Sequence, residues 1–150
     1  MKNTSAWFIL LGGISLVVVF IPGGADPYRK LIMNMFLIPG GLVFIGHGIW
    51  PKTALTLREH LGIFGFAALG FLLSLFVNFQ FPGGDFLHSY RGFPYRWLVG
   101  TVEFGSREGM RWYLFTPGLL ADGLFWLNVG ILLVMALHFL MPKIQTPHEE

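Results

Sequence analysis

Long uncharged stretches separated by short polar steps run through the chain, and a helix needs only about 20 mostly apolar residues to span the hydrocarbon layer of a bilayer. Four stretches qualify: residues 5–21, residues 31–50 between Lys30 and Lys52, residues 61–79 after the charged step Arg58-Glu59-His60, and residues 117–141, interrupted only by Asp122 and His138. An isolated strand leaves its backbone groups unsatisfied in lipid, so each stretch is read as a helix. The pattern therefore predicts an all-α membrane protein, four transmembrane helices in a bundle, forming one domain over residues 1–150 with a polar loop at 80–116.

Local chemistry marks the ends. Thr116-Pro117 offers a capping hydroxyl followed by a proline at the first helical position, where a missing N–H costs nothing. Pro22-Gly23-Gly24, Pro51, Pro82-Gly83-Gly84 and Pro142 are the expected stops. Pro39-Gly40-Gly41 falls inside the second stretch and is expected to kink or break it. In the polar loop, Tyr95–Phe104 and Met110–Phe115 are rich in β-branched and aromatic residues around Gly105-Ser106-Arg107-Glu108-Gly109, which predicts a short β-hairpin or flap on the membrane surface.

Composition strengthens the membrane reading. Apolar residues make up 54% of the chain and charged ones only 12%, about half of what a soluble domain carries, and the mean hydropathy is +0.63. The net charge of +2 gives no reason to expect nucleic acid as a partner; lipid and other membrane subunits, or a second copy, are the expected ones. With no cysteine there are no disulfides, thiolate metal sites or thiol nucleophiles. The first stretch has a rival reading as a secretory signal, with small residues before Asp26 as its cleavage site. Ser15–Asp26 and Ser74–Asp85 share a Ser-Leu start and a Pro-Gly-Gly end before Asp, an echo that two duplicated helical hairpins would leave.

Orientation is pulled two ways. Four crossings put Lys2, Lys52, Arg58 and Lys143 on one side and Arg29, Lys30, Arg91, Arg96, Arg107 and Arg111 on the other, so the positive-inside rule places the polar loop in the cytoplasm. However, Tyr90-Arg-Gly-Phe-Pro94, followed by a polar stretch and Phe115-Thr-Pro-Gly-Leu-Leu-Ala-Asp-Gly-Leu-Phe-Trp126, resembles a pattern in small uncharacterised bacterial integral membrane proteins. In these a Gly-Phe-Pro loop outside the cytoplasm precedes the last helix. The resemblance covers about the C-terminal 65 residues. It implies the bacterial inner membrane with both termini cytoplasmic, and it brings no activity with it. Gly41–Gly48 is also similar to the first helix of DoxX-like four-helix proteins, over a shorter match still.

Two groups of residues are candidates for chemistry. His47, His60 and His138 fall at the ends of spans that share one interface, so two of them could ligate a haem iron or a chlorophyll-like pigment between helices. The alternative for each is an interfacial imidazole bonded to a nearby carbonyl. Toward the opposite interface lie Asp122, Asn78, Asn34 and Asn128. An ionisable group within a span is a functional suspect because burying its charge is expensive. Asp122 is expected to pair with Arg107 or Arg111 from the loop, to donate to Asn78, or to sit as a solvated carboxylate at a helix N-terminus. Ala67, Gly70, Ser74 and Asn78 recur at helical spacing as a small and polar stripe suited to helix packing.

No phosphate-cradling loop, metalloprotease helix or Ser-His-Asp set on one side of the membrane is present in the sequence. An enzyme is not the expected outcome. The leading expectation is a non-catalytic subunit or accessory of a larger membrane complex. The alternatives are a haem- or pigment-binding electron-transfer or light-harvesting subunit, on the histidines, and a small transporter or channel component, on Pro39 and Asp122.

Overall fold

A computed structural model describes residues 2–20, 27–50, 55–105 and 107–140. Four helices are present: α1 (Lys2–Phe20), α2 (Pro27–Ile49), α3 (Leu57–Ser74) and α4 (Thr116–Leu140). Three segments, Tyr28–Ile49, Leu57–Ser74 and Thr116–Leu140, are long and apolar enough to cross a membrane, while Ser5–Phe20 is a shorter apolar helix. The expected stops at Pro22-Gly23-Gly24, Pro51 and Pro142, and the signal-cleavage site before Asp26, lie outside the described residues.

The all-α expectation is overturned between α3 and α4. There the chain builds a four-stranded antiparallel meander, β1 (Asn78–Gly83), β2 (Phe86–Arg91), β3 (Leu98–Glu103) and β4 (Arg111–Leu114), paired in chain order. The expected hairpin is its second half; β1 and β2 add a first half inside what was read as the third span and the start of the loop. α3 ends at Ser74, short of residue 79, because from Asn78 the side chains alternate polar and aromatic through Gln80 and Phe81, a period that suits a pleated strand. Gly84, at φ 59°, turns β1 into β2 through Gly84-Asp85, and Pro82 is tolerated because β1 is an edge strand.

α3 starts earlier than anticipated, at a reciprocal cap: Thr56 Oγ1 accepts from the Glu59 amide at 3.3 Å, and Glu59 Oε2 accepts from the Thr56 amide at 2.6 Å. α2 runs unbroken through Pro39, so the expected break is absent. Its Gly40 and Gly41 serve packing instead. A Cβ on Gly40 would strike the Asn128 side chain of α4, and one on Gly41 would come within 3.1 Å of the Gly12 carbonyl oxygen of α1.

The core lies along α4. Met33 and Leu37 of α2 meet Leu124 and Phe125, and further along Phe44 of α2 and Ile63 of α3 meet Ile131 and Val134. Ala67, Gly70 and Ser74 of the expected stripe are buried, with Ile63 one turn before them, and face α4, where a Cβ on Gly70 would meet the Trp126 ring. Asn78 falls outside the stripe, since it stands in β1. Over its described residues the sequence echo has no structural counterpart: Ser15–Phe20 is helical, whereas Leu75–Phe79 is turn and strand.

Candidate functional site

Asp122 and Asn128, both completely buried, bring polar chemistry into the side of α4. Asp122 joins three parts of the chain. Its Oδ2 accepts from Ser74 Oγ of α3 at 2.9 Å and from Trp97 Nε1 at 3.0 Å, and its Oδ1 takes a long 3.5 Å bond from the Tyr95 amide. Ser74 Oγ also lies 2.8 Å from the Phe71 carbonyl, so its single proton serves one acceptor at a time. The expected partners of Asp122 lie elsewhere. Arg111 pairs with Glu108 on the surface, Arg107 is exposed in the β3–β4 turn, and Asn78 accepts from Ser89 Oγ at 2.7 Å.

The loop from β2 to β3 is what reaches Asp122, and its sequence explains how. Gly92, at φ 115°, takes a conformation that other residues rarely adopt, and a Cβ there would collide with the Tyr95 carbonyl oxygen. Pro94 packs fully buried behind it. The chain therefore doubles back, and the Trp97 amide donates to the Arg91 carbonyl at 3.0 Å. The Trp97 ring stacks on Phe71 of α3 with centroids 5.3 Å apart. From α4, Trp126 Nε1 donates to the Phe93 carbonyl at 3.0 Å, one helical turn from Asp122. Gly118 lets the Arg96 carbonyl lie against the helix start, where a Cβ would strike it. The two halves of the Tyr90–Pro94 and Phe115–Trp126 pattern are thus in contact.

Beside this junction opens a cleft of about 890 Å³, enclosed by α1, α2, α4 and the sheet. Ile14, Val18, Met33 and Leu124 form apolar walls, and Tyr90 and Val99 contribute from the sheet. Arg29, Lys30 and Arg96 also line it, and no described carboxylate does. Arg29 lies 4.0 Å over the Phe79 ring, and Arg96 lies 4.6 Å over Tyr90 and 5.6 Å over Phe81. Tyr95 lines it too; its buried hydroxyl has no hydrogen-bond partner among the described residues. Burial first, and the Asp122 charge second, push its phenol up to about 12. Arg91, outside the cleft, lies 4.9 Å over Trp112.

The other polar candidates are simpler. Asn128 Nδ2 donates to Ser15 Oγ of α1 at 2.9 Å and to the Leu124 carbonyl at 2.7 Å, while its Oδ1 and that of Asn34 are buried without a partner among the described residues. The three histidines gather at the opposite end of the helices from Asp122. His47 and His60 both lie against Phe8, with centroids 6.4 and 5.7 Å away. Each histidine has a local partner: Met135 Sδ 3.4 Å from His47, the Thr56 carbonyl 2.8 Å from His60, and Glu59 3.1 Å from His138. Among the described residues no three His, Asp or Glu side chains converge as a metal site. Ser74 and Asp122, a hydroxyl and a carboxylate in contact, are separated from His47, His60 and His138 by the length of the helices.

The sequence singled out Asp122 but missed Trp97, Tyr95 and Trp126. One signal was available, because Asp122 and Trp126 share a face of α4 at i, i+4. Comparison of the chain with protein-family models, with curated proteins and with solved structures returned no match.

Proposed function

We propose that this protein is a non-catalytic integral membrane subunit that crosses the bilayer four times and holds a rigid β-meander at one membrane face for a larger complex. The observation that carries the reading is the use made of Asp122. A buried carboxylate in an apolar helix is costly, and here all its partners are structural ones that fasten α3 and the β2–β3 loop to α4. The sheet so fastened ends in β4, an edge strand exposed throughout, with Trp112, Tyr113 and Leu114 accessible. Exposed aromatic edge strands are surfaces that partner chains cover.

In this reading α1 is the fourth crossing, both termini lie in the cytoplasm of a bacterial inner membrane, and the sheet lies outside. The absence of cysteine makes the topology directly testable. In intact cells a membrane-impermeant maleimide should label Gly109→Cys in the β3–β4 turn and spare Arg58→Cys at the start of α3; the reverse labelling inverts the topology. Photo-crosslinkers at Trp112 and Tyr113, at native abundance, should give adducts with another membrane protein. A solitary, uncrosslinked monomer would end the subunit reading.

A further inference from the structure

We infer that the cleft between α1, α2, α4 and the sheet holds one membrane lipid with an anionic phosphate headgroup. The inference goes beyond the proposed function but rests on its membrane placement. The cleft has two kinds of wall. Ile14, Val18, Met33 and Leu124 come from apolar helices and supply a lining suited to an acyl chain. Lys30 and Arg96 supply positive charge beside the guanidinium of Arg29, and no described carboxylate lines the cleft. Lys30 and Arg29 sit in the first turn of α2, the level at which basic side chains of a membrane helix meet lipid headgroups.

Size and polar detail agree with a single bound amphiphile. At about 890 Å³ the cleft lies near the upper end of the range for small-molecule sites, and its mostly apolar lining with a few convergent polar groups is the usual composition of one. The Arg96 guanidinium carbon lies 4.6 Å over the Tyr90 ring, a contact that uses its face, and its planar N–H fork suits bidentate contact with phosphate oxygens. The Tyr95 hydroxyl, without a partner among the described residues, is a further donor that a headgroup oxygen would satisfy. A soluble anion would leave the apolar walls unused, and a zwitterionic lipid would bring its own cation to Lys30 and Arg96. An anionic phospholipid uses both walls.

The test uses the full chain in phosphatidylcholine nanodiscs, with and without phosphatidylglycerol, and reads retained lipids by native mass spectrometry. One phosphatidylglycerol should be kept in preference to phosphatidylcholine. Lys30→Ala, an exposed position that leaves the core untouched, should weaken retention roughly fivefold, and Arg96→Ala by at least as much. Ala121→Trp, which fills the cleft from α4 while keeping every cation, should expel the lipid, whereas Arg111→Ala, outside the cleft, should change nothing. Equal retention of both lipids, or retention indifferent to Ala121→Trp, overturns the inference. Inorganic phosphate that competes as well as the lipid does so too. A protein monodisperse without detergent would instead overturn the membrane reading beneath it.

Discussion

Two buried polar side chains fasten α4 to the rest of the molecule, and they are built on opposite logic. Asp122 takes hydrogen bonds from a hydroxyl, an indole and, at longer range, an amide, so the node binds a helix and a loop that share no layer of the fold. Asn128 gives its bonds, to Ser15 of the neighbouring α1 and to its own helix, and leaves its Oδ1 without a partner among the described residues. The first joins a helical layer to a sheet. The second joins α4 to α1, two helices that each already pack on α2 through its Gly40 and Gly41. A polar group weighs most where packing alone does not hold the parts together.

The sharpest way to break this contrast is Asp122→Ala. It strands the buried Trp97 indole N–H and the Tyr95 amide and leaves a cavity, and should cost about 3 kcal/mol in a detergent-unfolding titration. The sheet should become protease-sensitive before the helices do. Asp122→Asn, which can still accept from Trp97 and can donate to Ser74 Oγ, should keep most of that stability; equal loss in both variants would show that the charge, and not the bonding pattern, matters.

Next in size is Gly70→Ala, whose methyl meets the Trp126 ring; about 2 kcal/mol of overpacking is expected at the α3–α4 contact, read in the same titration. Asn128→Leu should cost no more than about 0.6 kcal/mol, since it removes a modest interhelical bond together with an unsatisfied oxygen. A double-mutant cycle with Ser15→Ala isolates that bond, and a coupling as large as that between Asp122 and Trp97 would erase the distinction between the two nodes. The smallest effect is on Tyr95. Its folded-state pKa is raised, so its contribution is fully present below the ordinary tyrosine value of 10 and is lost as pH rises through about 12. Tyrosinate absorbance should show one late-titrating group, absent in Tyr95→Phe, that titrates earlier once Asp122→Asn removes the neighbouring charge.

The helices were legible because membrane-like spans announce themselves by apolar length. The first half of the sheet, β1 and β2, was hidden for the same reason. Asn78-Phe79-Gln80-Phe81 continues the uncharged run of α3, and only its alternation separates strand from helix. The glycines before Asp85 carried a hairpin signal that was read as a helix stop. In the site, Asp122 stood out as a charge among apolar residues, but its partners did not. Trp97 approaches it through a Gly92 turn and a stack on Phe71, contacts that no local periodicity encodes. The gathering of His47 and His60 was readable from topology; their shared neighbour Phe8 was not.

Chain order gives the Asp122 node a temporal meaning. All four strands and the Trp97 loop are synthesised before α4, so the carboxylate that fastens them is made last. Until that helix arrives, the Trp97 indole N–H has no acceptor at this site and the Phe93 carbonyl has no Trp126 to receive. The final helix is therefore the latch of the molecule, and a chain truncated before residue 116 would carry every strand with nothing to close on.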